Sequence, residues 1–139
     1  MDEPGTGTLH HVEIYVSSLT RSLEFWGWLL GELGYHQYQD WRLGRSYKLN
    51  HTYLVFVQTE QPYQDVRYHR KRTGLNHLAF WVDELKFKML SEEIRRRDIE
   101  IIYPLNSPIE LGAASSDEIG YRAIFFEDPD RIKIELVLK

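Results

Sequence analysis

Six histidines and a complete lack of cysteine limit which side chains of this chain could do chemistry. Disulfides, thiolate metal sites, iron–sulfur clusters and thiol nucleophiles are excluded. What remains are imidazoles and carboxylates, donors that suit Fe(II), Mn(II), Zn(II), Ni(II) or Co(II). Two of the histidines fall in a repeated pattern. Leu9-His10-His11-Val12-Glu13-Ile14-Tyr15-Val16 and Leu75-Asn76-His77-Leu78-Ala79-Phe80-Trp81-Val82 both read Leu-x-His-aliphatic-x-apolar-aromatic-Val, 66 residues apart. His11 and His77 thus occupy equivalent positions in two copies of one unit. A third donor comes from the closing segment, where Ile132, Ile134, Leu136 and Leu138 alternate onto one face and leave Glu135 on the other, between Lys133 and Val137. A carboxylate in the middle of an apolar strand is costly unless it is paired or bound to a metal. Two imidazoles and one carboxylate would hold one divalent metal ion and leave positions open for water and substrate.

The elements that must position these residues follow from periodicity. Both repeat copies are rich in β-branched and aromatic residues and read as strands. Alternation puts Val12, Ile14 and Val16 on one face and His11, Glu13 and Tyr15 on the other; Leu78, Phe80 and Val82 oppose His77, Ala79 and Trp81 in the same way. A helix is expected from Ser18 or Thr20 to Leu33, with Leu19, Leu23, Trp26, Leu30 and Leu33 inward and Gly34 closing it. A second should run from Asp83 or Glu84 to Arg97, with Leu85, Met89 or Leu90, and Ile94 inward. Arg95-Arg96-Arg97 ends that helix, where cations suit the macrodipole and face solvent. Strands are expected at Tyr35–Asp40, Arg45–Leu49 and Thr52–Gln58, with Leu43-Gly44 in a turn, then at Ile99–Tyr103, Tyr121–Phe126 and Ile132–Leu138. Pro104–Gly120 reads as a long, small-residue loop of the kind that closes over sites. Each half is β-α-β-β-β, the first over about 8–60, a linker at 61–73, the second over about 74–138, all in a single domain of 139 residues.

Composition narrows the function classes. Seventeen Lys and Arg against 21 Asp and Glu give a net charge of −4, which argues against a nucleic-acid binder. No run approaches the roughly 18 apolar residues of a membrane span, and no charged-then-apolar leader opens the chain, so the cytoplasm is the expected compartment. Aromatics make up 14% of the residues, more than a small core needs, which points to a pocket or interface.

The motifs resemble those of the vicinal oxygen chelate superfamily: glyoxalase I, extradiol dioxygenases, fosfomycin-resistance proteins, methylmalonyl-CoA epimerase and bleomycin-binding proteins. The resemblance is carried by the two histidine strands, by Ser22-Leu23-Glu24-Phe25-Trp26 and Leu33-Gly34-Tyr35, and by Phe125-Phe126-Glu127-Asp128-Pro129-Asp130-Arg131-Ile132-Lys133-Ile134-Glu135. It implies an α+β fold of two paired βαβββ modules forming a cup-shaped mixed sheet. It also implies a metal held by His11, His77 and Glu135, and a homodimer. Two departures stand out. The position of the first module that matches Glu135 is Val55, which cannot coordinate, so the site looks three-ligand and classical glyoxalase I activity less fitting. Arg131 stands where the family usually has glycine.

Glu13 lies two residues along the strand from His11 on the same face, about 6–7 Å away. It is placed either to move a proton at the site or to form an ion pair with Arg45, Lys48 or Arg122. Tyr15, Tyr47, Tyr53 and Trp81 would line the cavity, and Arg122, Arg45 or Lys133 would meet an anionic substrate group. The expected function is a metal-dependent enzyme, a lyase, isomerase, epoxide-opening enzyme or dioxygenase. It would act on a small oxygen-chelating substrate by Lewis-acid stabilisation of an anionic intermediate. The rival is a non-catalytic protein that sequesters a drug.

Overall fold

The computed structural model describes residues 2–102 and 122–139, in two compact units, Met1–Arg67 and Tyr68–Lys139. The first unit runs β1 (His11–Val16), α1 (Leu19–Glu32), β2 (His36–Trp41), β3 (Gly44–Leu49) and β4 (Thr52–Gln58). Its sheet has the order β1-β4-β3-β2. Strand β1 pairs in parallel with β4, His11 opposite Tyr53 and Glu13 opposite Val55. The second unit runs β5 (His77–Val82), α2 (Glu84–Arg96), β6 (Ala123–Glu127) and β7 (Lys133–Leu138), in the sheet order β5-β7-β6. Strand β5 pairs in parallel with β7, His77 opposite Lys133 and Ala79 opposite Glu135. The parallel pair linked through a helix recurs in both units, as the repeat requires.

Both helices start where the side-chain chemistry dictates. The Ser18 hydroxyl accepts from the Arg21 N–H at 3.4 Å, and the Asp83 carboxylate accepts from the Lys86 N–H at 2.8 Å. Helix α1 ends in a glycine turn: Tyr35 N–H reaches back to Leu30 O at 2.9 Å, and Gly34 takes a φ of +94°. Each helix seals one face of its sheet. Under α1, Trp26 stacks on Phe56 at 4.9 Å, both fully buried with Val16, Leu29 and Leu30. Burying each such side chain contributes about 1.5–3 kcal/mol.

Several details differ from the sequence expectations. In α2 the buried stripe is Phe87, Leu90, Ser91 and Ile94, while Leu85 is 69% and Met89 47% exposed. Apolar residues at 85, 87, 89, 90 and 94 allow two helical phases, and the larger Phe87 wins the core. The tight turn between β2 and β3 is Arg42-Leu43, with Gly44 already paired to Trp41. The strand expected at Ile99–Tyr103 does not form over the described residues 99–102; Ile102 donates one hydrogen bond to Phe125 O at 2.8 Å. Tyr103 and the loop Pro104–Gly120 lie outside the described residues.

Candidate functional site

The faces away from the helices carry the histidines. In β1, Ile14 and Val16 are buried while His11, Glu13 and Tyr15 are exposed. In β5, Val82 is buried and Trp81 is 71% exposed. Strand β7 departs from simple alternation, because both of its faces are buried: Ile134 and Leu136 under α2, and Lys133 and Glu135, at 5% and 4% exposure, on the histidine side.

There the structure brings two of the expected donors together. His77 Nε2 lies 3.1 Å from Glu135 Oε1, and Glu135 Oε2 is buried with no hydrogen-bond partner among the described residues. Burial pushes the Glu135 carboxyl above its ordinary value. Burial first, and then the Lys133 ammonium, hold His77 below its ordinary value, so the neutral imidazole is favoured. Phe125 packs against His77 at 6.5 Å between ring centres, with Lys133 Nζ 5.6 Å from the same ring. A buried carboxylate with one oxygen on a neutral imidazole and the other unsatisfied among the described residues could be completed by a proton or by a divalent cation.

His11 lies in the other unit. Its Nδ1 is 2.9 Å from His10 Nδ1, and its ring stacks on Tyr53 at 4.7 Å and 4°. Tyr53 continues to Tyr38 at 5.2 Å, and Lys48 Nζ sits 4.3 Å over Tyr38. Glu13 takes no ion pair among the described residues. Arg45 bonds Asp40 at 3.1 Å, and Lys48 and Arg122 lie on the rings of Tyr38 and Phe87. Among the described residues no group of three or more His, Asp or Glu stands gathered for a metal.

Two of the expected pocket residues face elsewhere. Tyr47 pairs with Leu54 on the α1 side, is 6% exposed, and sets its hydroxyl 3.1 Å from where a Cβ on Gly27 would stand. Arg122 sits on the α2 side, its guanidinium 5.4 Å from the Phe87 ring. Neither shares the histidine face of its sheet, whereas Tyr15, Tyr53 and Trp81 do. In β3 every side chain at 44–47 is at least half-buried, so hydropathy could not assign the faces; pairing with β4 decides them.

The registers make the two units directly comparable. His11 matches His77, Tyr53 matches Lys133, Glu13 matches Ala79 and Val55 matches Glu135. The histidine face of the first unit thus has Glu13 on β1, and that of the second has Glu135 on β7 with Glu127 at the end of β6. A family model for the Glyoxalase/Bleomycin resistance protein/Dioxygenase superfamily matches residues 10–121. The chain belongs to that superfamily.

Similar proteins include several from bacteria. The Bacillus subtilis (strain 168) protein YqjT, itself uncharacterised, is 45% identical over 130 residues, 93% of this chain and 97% of that protein. A candidate glyoxalase from Bacillus halodurans, known from a crystal structure, is 48% identical with a TM-score of 0.86, over 96% of this chain and 97% of that one. The fosfomycin resistance protein FosX of Listeria monocytogenes shares the fold at 16% identity and a TM-score of 0.66, over 97% of this chain and 95% of that one. The α+β glyoxalase-like fold is common to all of these solved relatives. No helix among the described residues is long and apolar enough to cross a membrane.

Sequence reasoning passed over Asn76, Arg70 and Phe125 as site residues. Asn76 was visible as the polar residue immediately before His77, but nothing in the sequence marks what its side chain holds. Arg70 lies in the stretch read as a linker, yet it belongs to the second unit, where it is ion-paired with Glu127.

Proposed function

We propose that this protein is a metal-dependent enzyme acting on a small substrate that chelates through two oxygens, with His11, His77 and Glu135 as the protein ligands. The observation that carries the reading is Glu135: 4% exposed, one oxygen on His77 and the other without a partner among the described residues. Such a group costs stability in every state of the chain except one in which a proton or cation completes it. A bound divalent metal, Fe, Mn, Zn, Ni or Co, supplies Lewis acidity to the substrate oxygens. The chain's own contributions are separable. Glu135 and His77 hold the charge, Glu13 accepts or returns a proton at the substrate, and Tyr15, Tyr53 and Trp81 bound the site. Val55 at the place of Glu135 leaves this site one protein ligand short of a four-ligand glyoxalase I site. Lyase, isomerase, epoxide-opening or dioxygenase chemistry fits better than that activity. A homodimer in the cytoplasm completes the proposal.

A second reading has its own observation. Tyr15, 59% exposed, and Trp81, 71% exposed, occupy matching positions of the two repeats, each presenting an open ring on the histidine face of its own sheet on which a flat ligand could stack. Drug sequestration would use them without proton transfer. Glu13→Gln separates the two. With metal content unchanged, an enzyme loses its turnover by two or more orders of magnitude while a sequestering protein keeps its affinity. Retained turnover in Glu13→Gln would remove Glu13 from the mechanism.

A further inference from the structure

Asn76 immediately precedes His77 and is anchored at both ends of its amide. Its Nδ2 donates to Arg70 O at 3.1 Å, and its Oδ1 lies 2.7 Å from His77 Nδ1. A backbone carbonyl can only accept, so the end of the amide facing Arg70 must be the NH2 group. The end facing His77 is then the oxygen, which also only accepts, and His77 Nδ1 must carry the proton. In the neutral ring that leaves Nε2 with its lone pair, aimed at Glu135 Oε1 3.1 Å away. Two lone-pair atoms face one another there, and a positive centre belongs between them.

The anchor itself is held in place. The Arg70 side chain is ion-paired with Glu127, which also receives Arg131 at 3.4 Å. Tyr68 donates to Leu75 O at 2.8 Å, and Lys71 N–H donates to His69 Nδ1 at 3.1 Å. The segment ahead of β5 is thereby folded back so that Arg70 O faces Asn76. The first unit repeats the arrangement with a different side chain: His10, immediately before His11, holds His11 Nδ1 at 2.9 Å. In both units the preceding residue occupies Nδ1.

We infer that Asn76 is a positioning residue that fixes His77 in its Nδ1–H tautomer and so presents Nε2 as a metal donor beside Glu135. This rests on the metal-site reading of His77 and Glu135. Partners of this kind orient a ligating ring and raise its donor strength, and losing one typically weakens metal binding about 10–100-fold.

The test uses the full chain with selectively 15N-labelled histidine and Zn(II) as the probe. In the metal-free wild type the His77 nitrogen shifts and long-range couplings report the Nδ1–H tautomer. Asn76→Ala shifts the population toward Nε2–H, which can bond Glu135, and weakens Zn(II) about 10–100-fold in competition with a chromogenic chelator. Asn76→Asp keeps an acceptor at Nδ1 but loses the bond to Arg70 O, so it restores the Nδ1–H tautomer and part of the affinity. Asn76 is exposed, so both variants should fold. An Nε2–H tautomer in the wild type, or a tautomer unmoved in Asn76→Ala, overturns the inference. A wild type that shows Nδ1–H, loses it in Asn76→Ala and takes up no Zn(II) overturns the metal-site reading while upholding the tautomer control.

Discussion

Replacing Glu135 by Gln should make the metal-free protein more stable and the metal-loaded protein less so. The carboxylate is 4% exposed, has one oxygen unsatisfied among the described residues, and is desolvated enough to raise its pKa. Gln has nearly the same volume. Its amide NH2 can donate to the lone pair of His77 Nε2, and its carbonyl leaves a neutral rather than a charged orphan in the remaining position. Leaving a buried polar group unsatisfied costs about 1–3 kcal/mol, and more when it is charged. The substitution should therefore raise stability by about 1–3 kcal/mol, or roughly 4–12 °C in melting temperature for a chain of this size. The assay is thermal unfolding with a chelator and again with Mn(II) or Zn(II) at about 1,000 times the dissociation constant. Metal should add about 4.1 kcal/mol to the wild type and almost nothing to the variant, so the order of stability reverses. A Glu135→Gln protein that melts below wild type in chelator would refute the reasoning. It would mean that the carboxylate is there as a structural partner of His77 or Lys133.

Other substitutions test the frame around the site. Arg131 is held at a φ of +68°, and its bond to Glu127 is an exposed one, so Arg131→Gly should stabilise by up to about 1 kcal/mol in chemical denaturation; a loss would show that the ion pair outweighs the backbone strain. A Cβ on Gly44 would stand 2.4 Å from the Trp41 ring and 2.8 Å from Phe56 O, so Gly44→Ala should cost about 1–3 kcal/mol, and an unchanged midpoint would contradict that packing. Asp83→Ala should cost about 1 kcal/mol through the lost helix cap, and Asp83→Ser should recover most of it. Burial and then the Lys133 ammonium hold His77 below its ordinary value, and Glu135→Gln leaves both causes in place. The unfolded chain then binds the extra proton first, so stability must fall as pH drops through 6.5 toward the folded value, and adding His77→Gln should flatten that stretch of the curve. A slope that survives His77→Gln would assign it to another group.

Much of this molecule can be read in its sequence because the repeat and the strict alternation of β1 and β5 leave one choice of face. Val16 and Val82 must go under a helix, and His11 and His77 must then face away. Glu135 could be singled out because a carboxylate among Ile134, Leu136 and Leu138 is out of place. The phase of α2 was not legible, since five apolar positions support two stripes and only the bulk of Phe87 decides. Tyr47 and Arg122 fell on the wrong face for a related reason. Strand β3 is mostly polar and Arg122 precedes a β6 that is apolar on both faces, so neither segment shows its orientation, which comes from pairing with β4 and β7. The role of Asn76 depends on a carbonyl six residues back that only the folded loop brings into reach.

Metal content decides the central claim most directly. Untagged protein is analysed by plasma mass spectrometry as isolated and after reconstitution with Fe(II), Mn(II), Zn(II), Ni(II) and Co(II), beside His11→Ala, His77→Ala and Glu135→Ala. The account predicts about one transition metal per chain in the wild type and its loss in all three variants. A wild type that stays metal-free under every reconstitution, or a His11→Ala protein that keeps a full complement, would contradict it.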